Sequence, residues 1–147
     1  MTTDTLTVEL SGAPMGKERV RFVKTTGRTF TPERTLTFEA RLAHAAQIAM
    51  AGRALFEGPL TMIVEAFMPI AASKPKKWRA AALAGAERPT KKPDWDNIGK
   101  IVSDALNLIV YQDDAQIVDG RTLKWFSANP RVVVTITSLK PQEGVFA

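Results

Sequence analysis

The chain has 147 residues, 20 Lys and Arg against 15 Asp and Glu, a formal net charge of +5, one histidine and no cysteine. That length suits one domain burying about 70% of its unfolded surface without covalent staples. The missing thiols exclude disulfides, zinc–thiolate fingers and cysteine nucleophiles, and the lone His44 excludes paired-histidine sites, so any metal must be held by carboxylates, a donor set that suits Mg²⁺ or Mn²⁺.

Leu6 to Leu10 alternates apolar and polar residues, the period of a half-buried strand, and Ser11-Gly12-Ala13-Pro14 breaks it. Arg19 to Val23 and Arg28 to Thr31, joined through Thr25-Thr26-Gly27, read as a basic hairpin or extended loop. Thr31-Pro32-Glu33 opens a helix with a threonine cap and a proline in its first turn. That helix runs to about Met50, stops at Gly52, and sets Phe38, Leu42, Ala45, Ala46 and Ala49 on one face. His44 lies in its polar part and has no assigned role. Gly58-Pro59 then opens a strand from Leu60 to Met68, whose continuous apolar character suits a central position. From Ile70 to Lys92 the composition shifts to Pro, Lys and Ala, which reads as a basic surface insertion at about 70–92 with a short helix near Lys76 to Ala84.

Asp94 or Asp96 caps the next helix, where Ile98, Ile101, Val102, Ala105, Leu106 and Ile109 trace the clearest amphipathic stripe in the chain. A turn over Tyr111 to Ala115 follows, then two strands, about Gln116 to Phe126 and Arg131 to Leu139, joined across Ser127 to Pro130. The order is β-α-β-α-β-β. The fold class expected is α/β (α+β), a single two-layer domain over 1–147 with a mixed sheet of about four strands and two main helices. Helical crossovers predict that the first three strands are parallel neighbours. Trp125 alternates with Leu123 on the last hairpin and reads as core. The N-terminus lacks a signal-peptide pattern and no apolar run spans a membrane, so a cytoplasmic protein is expected.

Charge is concentrated. Seven basic residues lie between Lys74 and Lys92 (Lys74, Lys76, Lys77, Arg79, Arg88, Lys91 and Lys92) against Glu87 alone, and Lys17, Arg19, Arg21, Lys24 and Arg28 oppose only Glu18. Lys17, Arg19, Arg21, Lys74, Lys76, Lys77, Lys91 and Lys92 are the candidates for phosphate contacts, which predicts a steep salt dependence. The plain alternative is a solvated basic loop. Trp78 and Trp95 are candidates for base stacking, with burial in the dimer or the core the stronger reading for Trp95.

The informative acidic run is Asp94-Trp95-Asp96-Asn97-Ile98-Gly99-Lys100, followed by Asp113-Asp114. Metal-assisted phosphodiester hydrolysis needs several carboxylates around a divalent ion that activates water and offsets charge on the phosphate. Lys100, four residues after Asp96, is placed to steady that charge. The same residues also fit ordinary duties: Asp94 and Asp96 as helix caps, Lys100 as a partner of Asp96 or Asp104, Asp113-Asp114 as turn residues. Spacing does not bring Asp94 and Asp96, before the helix, to Asp114, after it. Aspartyl-nucleophile phosphatases and topoisomerase-primase domains place Asp-x-Asp after an apolar strand, whereas Thr90-Lys91-Lys92-Pro93 precedes it here. Restriction-type nucleases need an acid-x-Lys strand that does not follow.

Lys92 to Lys100, Ser103-Asp104-Ala105-Leu106 and Tyr111-Gln112-Asp113-Asp114-Ala115-Gln116-Ile117-Val118 together resemble the signature of the RusA-type Holliday junction resolvases. A Pro-containing loop after the first strand, Thr31-Pro32 and Met68-Pro69 agree more loosely. The resemblance implies a homodimeric, Mg²⁺-dependent endonuclease (Mn²⁺ as substitute) that resolves four-way junctions in recombination and repair, in a bacterial or phage setting. By position it sets Asp94, Asp96 and Asp114 as metal-holding catalytic carboxylates and Lys100 as the catalytic lysine, with Asp113 in a supporting place. It also implies the convergence of the acids. The longer Lys74 to Lys92 segment, and Pro93 where some members have arginine, leave DNA contacts and cleavage preference open. A non-catalytic branched-DNA-binding protein is the alternative, which the acids and lysine speak against.

Overall fold

In β1 (Thr5–Ser11) the buried positions are Leu6 and Val8; in β4 (Leu60–Met68) they are Leu60, Met62, Val64 and Ala66; in β6 (Arg131–Ser138) they are Val132, Val134, Ile136 and Ser138. Strand side chains alternate between faces, so these residues form one apolar face of one sheet. The computed structural model describes residues 4–139. Two helices cover that face: α1 (Glu33–Met50) with Phe38, Leu42, Ala46 and Met50, and α3 (Trp95–Ala105) with Ile98, Ile101, Val102 and Ala105. Leu42, Leu60, Ile98, Ile101 and Ile136 are fully enclosed, each contributing roughly 1.5–3 kcal/mol through burial. The short α2 (Lys76–Leu83) lies between β4 and α3, and β5 (Ile117–Phe126) follows a 3₁₀ turn over Asp114–Gln116. The class is mixed α+β, a four-stranded mixed sheet with three helices.

Strand order corrects the expected neighbours. The sheet runs β1-β6-β4-β5, with β6 antiparallel to both β1 and β4, and β4 parallel to β5. Only the crossover through α3 therefore joins parallel neighbours; β1 is separated from β4 by β6. Nor do β5 and β6 form a hairpin, because β4 lies between them. The connection Ser127 to Pro130 bridges over its end, with the Ser127 N–H donating to the Met68 carbonyl. β4 is central, as its apolar run implies. Trp125 shares a face with Phe67 rather than with Ala66, which puts it opposite the main core, half-buried.

The basic hairpin forms as its own two-stranded sheet, β2 (Arg21–Val23) and β3 (Arg28–Phe30), turning at Gly27 with φ 69°. The threonine cap of α1 does not form. Pro32 occupies the capping position without a side-chain bond, and its carbonyl accepts the N–H of Thr35 and Leu36. At the other end Ala51 (φ 49°) and Gly52 (φ 78°) take left-handed conformations and stop the helix.

The 70–92 segment is strapped to β5. Trp78 meets Phe126 edge-on at 5.3 Å, and the Arg88 guanidinium stacks 3.5 Å from the Trp125 ring centre and donates to the Lys124 carbonyl at 2.6 Å. Lys124 Nζ donates to the Lys91 carbonyl at 2.6 Å. These ties set the path of the chain into α3. No helix among the described residues is long and apolar enough to cross a membrane.

Candidate active site

Asp94 sits at the N-cap of α3 in an extended conformation, yet its side chain makes no capping hydrogen bond. Asp96, in the first turn, accepts only the neighbouring Asn97 N–H at 3.0 Å. Both side chains are exposed. The capping explanation for Asp94 is thus not what the structure shows, and both carboxylates have free lone pairs. What holds this end is backbone. Lys17 N–H donates to the Asn97 carbonyl at 2.8 Å, and a Cβ on Gly16 would lie 2.9 Å from Pro93 Cβ and 3.0 Å from Asn97 Cβ. Only glycine permits that approach.

Between this clamp and the hairpin lies an open cleft of about 740 Å³, lined by Arg19, Arg21, Arg34 and Lys92 together with Asp94 and Asn97. Glu18, on the same wall, is neutralised by a two-pronged bond from Arg34 (both 2.9 Å) and by the Thr35 hydroxyl at 2.9 Å. Those bonds, Arg34 first, lower its pKa to about 2. With the Arg34 charge spent on Glu18, the cleft keeps Arg19, Arg21 and Lys92 on the same lining as the Asp94 carboxylate, groups that suit a phosphate and a cation together.

The far end of α3 is wired differently. Lys100 Nζ lies 3.7 Å from Asp104 Oδ2, and the same oxygen is 3.4 Å from Lys17 Nζ, which also contacts Glu39 of α1. Burial opposes the charge on Lys17, but the Glu39 hydrogen bond and the charges of Glu39 and Asp104 outweigh it and raise its pKa. Lys17, expected on phosphate, has its ammonium turned inward between two carboxylates. The buried Tyr111 donates its hydroxyl to the Ser103 carbonyl at 2.6 Å, and burial raises the phenol's pKa. Asn107 Oδ1 accepts the Asp114 N–H at 2.9 Å. Asp113 caps the 3₁₀ turn by accepting the Ala115 N–H, and Gln116 answers by accepting the Asp113 N–H.

Asp113 and Asp114 titrate as a pair. The Ala115 N–H and then the Asp114 carboxyl lower Asp113; the Asp113 hydrogen bond, burial, and the charges of Asp113 and Asp104 raise Asp114, against a pull from Lys100. Asp114 thus lies within electrostatic reach of Lys100 and Asp104. Asp94 and Asp96 lie at the opposite end of an 11-residue helix, about 16 Å long at 1.5 Å per residue. Among the described residues no three Asp, Glu or His side chains stand together to hold one metal ion. The donors are of the right chemical type for a hard divalent cation, but the described residues of one chain do not gather three of them.

The remaining basic candidates are spread out. Lys74 lies 4.7 Å over the Trp78 ring, Lys76 and Lys77 start α2, and Lys91 and Lys92 are exposed before Asp94. Trp95 is exposed in the single chain, so it is not part of the core, while Trp78 is half-buried. Sequence reasoning missed Asn107, Glu39 and the Arg34–Glu18 pair, and gave Asp104 only a passive place. The four-residue spacing of Asp96, Lys100 and Asp104 was the available signal for that stripe.

This arrangement lies within a match to the family described as Endodeoxyribonuclease RusA, over residues 11–137. The chain belongs to the RusA endodeoxyribonuclease family. The RusA match spans the sheet from the end of β1 to β6 and takes in both acidic segments. A relative printed as "Uncharacterized protein YqaN", from Bacillus subtilis (strain 168), is 45% identical over 84 residues, 56% of this chain. The match spans 59% of that relative's length.

Proposed function

We propose that this protein is a structure-specific DNA endonuclease that resolves four-way junctions in recombination and repair by paired phosphodiester hydrolysis. The observation that carries this reading is the pair of exposed, uncapped carboxylates, Asp94 and Asp96, the first of them lining a cleft that Arg19, Arg21 and Lys92 also line. Family membership supports it. Asp94, Asp96 and Asp114, which stand apart at the two ends of α3 in this structure, are the residues that would hold a divalent cation, Mg²⁺ first and Mn²⁺ as substitute, with Asp113 in support. The ion supplies water activation and charge neutralisation when bound.

The chain's own groups do the rest. Arg19, Arg21, Lys91 and Lys92 orient the strand, Lys74, Lys76 and Lys77 extend the track for a second arm, and Lys100 offsets charge on the phosphate. Lys17 holds the loop against α3. A homodimer acting on both strands matches the two-fold symmetry of a junction. The domain would span 1–147, with 70–92 as its basic insertion.

The test is nicking of a four-way junction, with a mobile core and a fixed core, beside linear duplex, comparing wild type and Asp96→Asn with Mg²⁺ and with EDTA. Symmetric paired cuts lost in the variant and in EDTA support the reading. The second reading, junction binding without catalysis, draws on the lack of a gathered acid triad among the described residues. Binding with no cuts on any substrate would select it.

A further inference from the structure

The β2–β3 hairpin has a feature that phosphate binding does not use. Arg21 pairs with Phe30 and Val23 with Arg28, while Phe22 pairs with Thr29. Opposed residues share a face and neighbours alternate, so Phe22 and Thr29 point away from the Arg21/Phe30 face. The latter turns toward α1, where Phe30 and Arg21 line a cleft with Arg34, Phe38 and Arg41. Phe22 therefore projects on the outer side, 62% exposed. It stands on the same short run whose Arg19, Val20 and Arg21 wall the Asp94 cleft.

Two strands alone bury too little to justify an outward phenylalanine. The surroundings identify what covers it. Arg19, Arg21, Lys24 and Arg28 are all exposed, and the one acid, Glu18, is already satisfied by Arg34. A ribbon this cationic repels a second copy of itself and attracts a polyanion. Among polyanions, an aromatic ring distinguishes those with accessible base faces, because paired duplex offers none without unstacking.

We propose that Phe22 is a stacking wedge for bases opened at a DNA branch point, with the surrounding arginines and lysines on the adjoining phosphates. The hairpin thereby reads branching, and the Asp94 cleft beside it receives the strand. This rests on the branched-DNA reading above.

The test measures affinity for a four-way junction and for linear duplex of equal length, using wild type, Phe22→Ala and Phe22→Trp, with circular dichroism confirming the fold. The junction carries 2-aminopurine at its centre. Phe22→Ala is expected to weaken junction binding roughly ten-fold, with duplex binding changed less than about two-fold, the size of one lost base–ring stack. Phe22→Trp should restore junction binding, and the 2-aminopurine signal should respond to wild type and Trp but not to Ala. Equal weakening on both DNAs, no change on either, or a loss confined to self-association would overturn the proposal. Wild type with no preference for junctions would overturn the functional reading and this one together. A preference kept intact in Phe22→Ala overturns the wedge alone.

Discussion

At the N-terminal end of α3 the carboxylates of Asp94 and Asp96 are exposed and nearly bond-free, and the backbone beneath them is clamped by Gly16 and Lys17. At and beyond its C-terminal end, Asp104 is tied to Lys17 and Lys100, Asp113 to the Ala115 amide, and Asp114 to Asp113 through its carboxyl and to Asn107 through its backbone N–H. The same residue type is thus used in two ways along one helix. Where side chains are wired together they build structure and have less freedom to accept a new partner. Where the backbone alone is held, the side chains stay available. Rigidity at the first end comes from close packing, and at the second from hydrogen bonds.

That contrast is most exposed to failure at Asp96. Asp96→Asn is expected to lower junction nicking by about 10²-fold or more, the scale of losing one charge-stabilising group, with no shift in thermal midpoint. A large loss of stability would instead make Asp96 structural and erase the distinction. Gly16→Ala tests the clamp: its methyl must displace Pro93 or Asn97, so thermal or urea unfolding should show a loss of about 1–3 kcal/mol, with nicking falling as Asp94 moves. An unchanged protein would mean the backbone there gives freely.

At the wired end, Tyr111→Phe removes only the bond to the Ser103 carbonyl. It should cost about 0.5–1.5 kcal/mol in urea unfolding while leaving DNA affinity alone. The smallest effect sharpens the role of the cleft wall. Glu18 has its folded pKa held near 2, below its ordinary 4.5, by Arg34 and then Thr35. Its contribution to stability is fully present above about 4.5 and is lost as pH falls toward 2. Glu18→Gln should therefore lower the melting temperature at neutral pH and converge with wild type in strong acid. A constant difference across that range would rule out this ionic origin.

Much of this was legible in the residues. Alternation in Leu6 to Leu10 and the stripe from Ile98 to Leu106 place β1 and α3, because burial periodicity is local. The position of β6 is not local. Nothing in Arg131 to Ser138 says whether it pairs with β5, its neighbour in the chain, or enters between β1 and β4. Nor does the alternation within β5 say which of its faces the helices cover; the register with β4 puts Trp125 beside Phe67, on the other one. The Asp94/Asp96 motif and Lys100 were readable, and the likeness of the whole run pointed to the RusA family. Lys17 was readable as a charge but not as one turned inward, since Glu39 and Asp104 come from two other elements. Asn107 and the Arg34–Glu18 pair depend on tertiary contacts with no sequence period.

The order β1-β6-β4-β5 has a consequence for the life of the chain on the ribosome. Thr5 waits for Thr137, a partner at nearly the opposite end of the polypeptide, and β4 keeps an inner edge open until the same strand arrives. Contacts so distant in sequence form late. Every acid proposed for catalysis is synthesised before Arg131, yet none has its supporting sheet until β6 is threaded home. A nascent or prematurely terminated chain would carry the acids proposed for catalysis without the scaffold that aims them, so incomplete products should show no nicking activity.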